Sequence, residues 1–413
     1  MEKEHRTLRL ACYTTSLSMS IVANLSPVLF LVFRPAYGIS YSQMGLLVVI
    51  NFVTQLIVDL IFSFFSHKFN IVKTVRSTPL FSAAGLILFG LSPVLFPGNV
   101  YTGLLIGTVV FSAGSGLAEV LISPVIAAIP SDDPDRQMSG LHSVYAWGVV
   151  FVILFSTLYL RFISQNWTYL ALILAIVPVT SSILFQRSKV PAMQTPEKVS
   201  DTMRYLKDKG FWLCVVAIFL GGASECNMAQ WASGYLEQAM GIPKVWGDIF
   251  GAAMFSVLLG IGRTTYAKRG RNIGKVLLIS SIGAAVCYLV TALTTIPLLG
   301  LAACALTGLC SAMLWPGNLV VAADRFPTGG VFLYAMMAAG GDLGASLAPQ
   351  LVGIITDTAI ENAYLCELAV RWGLTPDQLG MKLGMLVSVL FPLISIFLCA
   401  RIRKYRKMKG LEN

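Results

Sequence analysis

Three carboxyl groups lie deep inside apolar runs: Glu119 in GSGLAEVLISP (114–124), Glu225 in ASECNMAQWASGYLEQ (223–238) and Asp342 in AAGGDLGAS (338–346). A carboxylate at membrane depth costs at least ~3 kcal/mol, so such groups are kept for a reason. Away from water the neutral carboxyl is favoured over the charged one. Each of the three can therefore take up or release a proton when water reaches it, or hydrogen-bond a solute. A proton crossing a membrane gains ~2.3 kcal/mol per 100 mV. Glu119 is the first candidate for proton coupling, with Glu225 and Asp342 beside it.

The elements that carry these acids are membrane helices. The chain has 413 residues, of which 56% are apolar and 12% charged, and its mean hydropathy is +0.75. A water-soluble domain could not hide that much apolar surface. Apolar runs predict twelve helices, near 8–33, 42–65, 74–95, 101–128, 139–160, 167–186, 210–236, 246–266, 273–293, 297–323, 329–355 and 380–402. Each is long enough to cross ~30 Å of hydrocarbon. The first reads as a membrane span, not a cleaved leader. The fold class expected is an all-α integral membrane protein.

The formal charge of +10 has a topological explanation. The ends and alternate loops hold 25 Lys and Arg, against Arg34, Arg161, Lys244, Arg371 and Lys382 on the other side. This bias predicts cytoplasmic termini in a multi-pass protein of the inner membrane and leaves no nucleic-acid patch. The eight cysteines form no CxxC and no Cys/His cluster, and HExxH and phosphate-loop patterns are absent. No metal, cofactor or catalytic triad is expected, and the chain is not expected to be an enzyme.

The longest basic gap, 187–209, divides the chain into a six-helix bundle over 1–186 and another over 210–413. Thr195-Pro196-Glu197 reads as the start of a short amphipathic surface helix within it. The halves echo each other. GLAEVLISP (116–124) lies over GLCSAMLWP (308–316) at an offset of 192, which also sets Asp132 over Asp324. Duplicated halves are a known transporter plan.

Polar residues fall in stripes on the first and fourth helices of each half. Ser112, Ser115, Glu119 and Ser123 span about 80° of helix 4. Thr307, Ser311, Trp315 and Asn318 do the same on helix 10. Helix 1 carries Tyr13, Ser16, Ser20 and Asn24, and helix 7 carries Asn227, Gln230, Trp231 and Gly234. Such faces should avoid lipid and line a wet cavity, or else join helices to one another. The substrate-binding candidates are Asn24, Ser115, Ser123, Asn227, Gln230, Trp231, Ser311, Trp315, Asn318 and Tyr334. Glu225 and Asn227 lie about 160° apart on a regular helix, so they share a cavity only if helix 7 bends, for example at Gly221-Gly222. Gly-rich helix 11, Pro124 and Pro316 are further bending points. All Lys and Arg are assigned to loops or helix edges, which disfavours an anionic solute. Gating candidates near the cytoplasmic edge are Asp59, Arg263, His142 and Tyr145.

The twelve helices, the repeat and the long central loop resemble the major facilitator superfamily over essentially the whole chain. Within it, residues 114–124 are similar to the helix-4 pattern G-x-G-x-x-E-x-x-x-N-P of fucose-permease-like proton–sugar symporters. Gly114, Gly116, Glu119 and Pro124 match, while Ser123 stands in place of the Asn. The resemblance implies a role in proton and sugar handling for Glu119. Residues 223–238 resemble a helix-7 pattern of related sugar carriers through Glu225, Trp231 and Tyr235. Of the signature after helix 2, only Asp59 and Lys68 remain. The expected function is alternating-access transport of a small, neutral, sugar-like solute with H+, by a monomer in the lipid bilayer. The alternatives are a proton-coupled antiporter of cationic or amphiphilic compounds and a non-transporting solute sensor.

Overall fold

The computed structural model describes residues 2–39, 41–131, 133–191, 193, 204–243 and 246–411. The surface helix expected at 195–197 and Asp132 lie outside them.

The helices begin at residues that supply the missing backbone acceptors. Asn70 caps α3 (Ile71–Gly90), Asn99 caps α4 (Val100–Ala127) and Asp133 caps α5 (Pro134–Leu158), which opens on a proline. Asn166 caps α6 (Trp167–Gln186), and Asp208 caps α7 (Lys209–Gln238). Before them run α1 (Glu2–Tyr37) and α2 (Tyr41–Phe65). After them come α8 (Ile249–Arg269), α9 (Ile273–Leu293), α10 (Pro297–Arg325), α11 (Gly330–Glu361) and α12 (Pro376–Met408). α12 opens with a reciprocal capping box between Thr375 and Gln378. Among the described residues, eleven helices are long and apolar enough to span a membrane; the 36-residue α1 precedes them. The fold is all-α. A short helix, Ala363–Arg371, occupies the segment between α11 and α12.

The chain forms two compact units: Met1–Lys207 with Phe326–Ala339, and Asp208–Arg325 with Gly340–Asn413. The division is not a single cut at the central loop, because 326–339 group with the first unit. In the first unit, Phe33, Phe89, Phe111 and Trp167 build an aromatic core from α1, α3, α4 and α6. The Trp167 ring lies 5.0 Å from Phe33 and 5.9 Å from Phe89.

The repeat is visible in how each unit packs. α4 lies against α2 and α3; α10 lies against α8 and α9. Gly116 brings α4 onto α2, where an added Cβ would stand 3.1 Å from Gln55 Cα. Its counterpart at the offset of 192, Gly308, brings α10 onto α8, where an added Cβ would overlap the Phe255 carbonyl. One small residue sets the same close approach in both halves.

The tightest such seat in the first unit is Gly85 of α3. A methyl there would overlap the Phe111 backbone nitrogen of α4. Gly85→Ala is expected to destabilise the protein by about 1–3 kcal/mol, read as a lowered midpoint of thermal unfolding in detergent. An unchanged midpoint would show that α3 and α4 pack less closely than described.

Candidate functional site

The second unit holds a buried ion pair. Arg263 of α8 is 2% exposed and Glu225 of α7 is 6% exposed. Arg263 Nη2 donates to both Glu225 carboxylate oxygens at 2.7 Å. Arg263 Nε donates to the Ala312 carbonyl of α10 at 2.9 Å. This corrects the expectation that every basic side chain stays at a loop or helix edge: the side chain of Arg263, one of the gating candidates, lies inside the bundle. The Arg263 backbone lies less than two turns from the end of α8, but its long side chain reaches the middle of α7 and α10.

The Ala312 contact has a cause in sequence. Pro316 has no N–H, so the carbonyl four residues earlier, that of Ala312, loses its helical donor. The helix is interrupted at 312–315, and Arg263 supplies the missing bond. On the other side of the interruption, Asn318 Nδ2 donates to the Leu314 carbonyl at 2.6 Å and to the Ala217 carbonyl of α7 at 3.2 Å. Gly221 and Gly222 of α7 make room for this region. A Cβ on Gly221 would stand 2.7 Å from the Leu314 carbonyl, and one on Gly222 2.9 Å from the Trp315 ring. The far edge of that ring covers Gly341 of α11. The glycine pair is therefore a packing seat, and α7 runs unbroken from Lys209 to Gln238.

Glu225 and Asn227 diverge, as their angular separation requires. Asn227 turns to α12, where its Nδ2 donates to Ser388 Oγ at 2.9 Å. Trp231 is half-buried and its indole donates to the Pro349 carbonyl of α11 at 2.9 Å. Gln230 is exposed. Ser311 is buried and donates to the Thr307 carbonyl within its own helix. Asp342 is buried in α11 of the second unit. Tyr334, two turns earlier on that helix, is buried and groups with the first unit.

In the first unit, Glu119 is half-buried well inside α4, between the buried Ser115 and Ser123. Ser112, on the same stripe, donates to Asn51 Oδ1 of α2 at 2.6 Å, so that end of the stripe joins two helices. The α1 stripe does the same. Ser16 donates to the Leu141 carbonyl at 3.3 Å and Ser20 to the Tyr145 carbonyl at 2.7 Å, pinning α1 to α5. Asn24 is half-buried and donates to the Ser20 carbonyl at 2.9 Å. Asp59 is fully buried within α2, and His142 and Tyr145 are half-buried in α5.

The arrangement is that of a polytopic helical membrane protein with matched charge inside one bundle and a carboxyl within a span of the other. The sequence profile described as Major Facilitator Superfamily matches residues 11–349, and the chain belongs to that superfamily of membrane transporters. It is a transporter and not an enzyme. Among solved structures it is similar to the transporter FucP in its outward conformation, at 17% identity and TM-score 0.70, covering 94% of this chain and 98% of that one. It is similar to an asparagine-to-alanine variant of the E. coli fucose:proton symporter FucP, at 16% identity and TM-score 0.70, covering 95% and 99%. It is also similar to the proton:xylose symporter XylE bound to 6-bromo-6-deoxy-D-glucose, at 13% identity and TM-score 0.70, covering 96% of both chains. No curated protein matches the sequence.

Removing one partner of a buried pair strands the other charge, at a cost of about 3–5 kcal/mol. Glu225→Gln is therefore expected to lower stability in detergent by that order. The double variant Glu225→Leu with Arg263→Met should recover most of the loss and keep only the smaller cost of the undonated Ala312 carbonyl, about 1–3 kcal/mol. If the double variant is no more stable than Glu225→Gln, the two side chains do not act as a charge pair.

Proposed function

We propose that the chain is a secondary active transporter that moves a small, neutral, sugar-like solute together with H+ by alternating access. It works as a monomer in the cytoplasmic membrane, with both termini on the cytoplasmic side. The observation that carries the neutral-solute reading is the pairing of Arg263. Its guanidinium is buried inside the second unit and would be the natural holder of an anionic solute, and Glu225 already matches its charge. Recognition is then left to uncharged groups, for which the half-buried Asn24 and Trp315 and the exposed Gln230 are the candidates.

Glu119 is assigned the proton. An ionisable group within a membrane span is a functional group by default, and Glu119 stays half-buried where its serine neighbours are fully enclosed. Glu225 serves the charge balance of Arg263 first. A proton on Glu225 would leave the guanidinium uncompensated, so proton binding there and the ion pair exclude each other. The similarity in fold to a fucose:proton and a proton:xylose symporter supports the same reading.

The test is uptake of labelled sugars into proteoliposomes. One H+ per solute at 100 mV gives about 2.3 kcal/mol, or roughly fiftyfold accumulation. Glu119→Gln is expected to reduce this to equilibration while solute counterflow continues. Wild-type accumulation by Glu119→Gln would show that the carboxyl is structural. Accumulation of an organic anion in place of sugars would overturn the neutral-solute assignment.

A further inference from the structure

The ends of α7, α10 and α12 in the second unit line an open cavity of about 310 Å³. Its polar wall carries Arg325, Arg401, Arg406 and Lys409 with Asp324, and Tyr405 stands among them. Two of the four cations are held in place. Arg406 pairs with Asp324 at 2.5 Å. Arg325 lies on the Tyr405 ring, 4.7 Å from its centroid, and 3.8 Å from the Asp208 carboxylate. It also lies over Gly210 of α7, where an added Cβ would meet its guanidinium. These two carboxylates answer two cations. Arg401 and Lys409, both exposed, have no ion pair among the described residues.

The remaining wall is apolar. Leu213, Val321 and Ile402 line it. Gly410, at φ +69°, turns the chain back so that the Leu411 N–H caps the Arg406 carbonyl at 3.0 Å and its side chain joins the lining. Apolar wall and cationic mouth thus meet at the ends of membrane-spanning helices, the depth at which lipid headgroups begin. Basic pockets between helices at that level suit phosphate-bearing headgroups, and an arginine fork matches a phosphate.

We propose that this cavity binds the headgroup of an anionic phospholipid. The phosphate is held by Arg401 and Lys409 over the fixed guanidinium of Arg325, and the upper acyl chain lies on Leu213, Val321 and Leu411. The site is separate from the Glu225–Arg263 pair and does not depend on which solute is carried.

The full-length protein, purified in detergent, is titrated with dioleoylphosphatidylglycerol, with dioleoylphosphatidylcholine and with inorganic phosphate, and thermal unfolding is followed. The anionic lipid is expected to raise the midpoint saturably, the zwitterionic lipid and the free ion much less. The double variant R401Q/K409Q should weaken the anionic lipid by roughly tenfold or more. R271Q/K275Q, an equal change of charge outside the cavity, should not. Unchanged lipid affinity in R401Q/K409Q overturns the proposal, as does an equal loss in both double variants. An equal response to phosphatidylcholine would make the cavity a hydrocarbon seat, and an equal response to inorganic phosphate would make it an ion site; either result also ends it.

Discussion

Pro316 removes one hydrogen-bond donor from the middle of a membrane helix, and the second unit is arranged around what replaces it. Buried inside the protein, an undonated carbonyl costs about 1–3 kcal/mol. Arg263 supplies the bond to Ala312. A guanidinium brought to that depth must in turn be neutralised, and Glu225 does this from α7. Packing follows from the same requirement. α7 must come close to α10, which Gly221 and Gly222 permit, and α10 must come close to α8, which Gly308 permits. A proline, an arginine, an acid and three glycines on three helices thus form one dependent set.

The related region of the first unit is built differently. Pro124, the counterpart of Pro316, sits inside an uninterrupted α4, and the neighbouring acid is Glu119. α2 contains no arginine that could reach in, and Asp59 is buried there instead. The duplicated helices keep their glycine contacts and diverge in charge. One half balances the arginine and acid at its centre against each other, and the other keeps a carboxyl well inside its fourth helix. On the proposed reading the titrating carboxyl and the structural counter-ion therefore lie in different halves, so that protonating one does not strand the buried guanidinium.

Much of this was legible in the sequence. Apolar run length gives the spans, and the repeat at 192 residues gives the correspondence of α4 with α10. The angle between Glu225 and Asn227 gives their divergence. Periodicity could not tell a cavity-lining serine from one that joins helices. Ser16, Ser20 and Ser112 have the spacing of a wet face, and their hydroxyls go to α5 and α2. Arg263 was misplaced because its Cα lies near a helix end while its functional atoms do not. The signal that could have found it was the pairing of demands: a deep acid in α7, and a proline in α10 that strands a carbonyl. The cationic cavity at the ends of α7, α10 and α12 combines residues far apart in the chain, from Leu213 to Leu411, so no local pattern announces it.

The interruption at 312–315 also has a mechanical meaning. It is braced from α8 by Arg263 and across to α7 by Asn318, with the Trp315 ring wedged against Gly222 and Gly341. The turn in α10 is tied to three neighbouring helices, and any rearrangement of the chain at that point must break contacts with each of them.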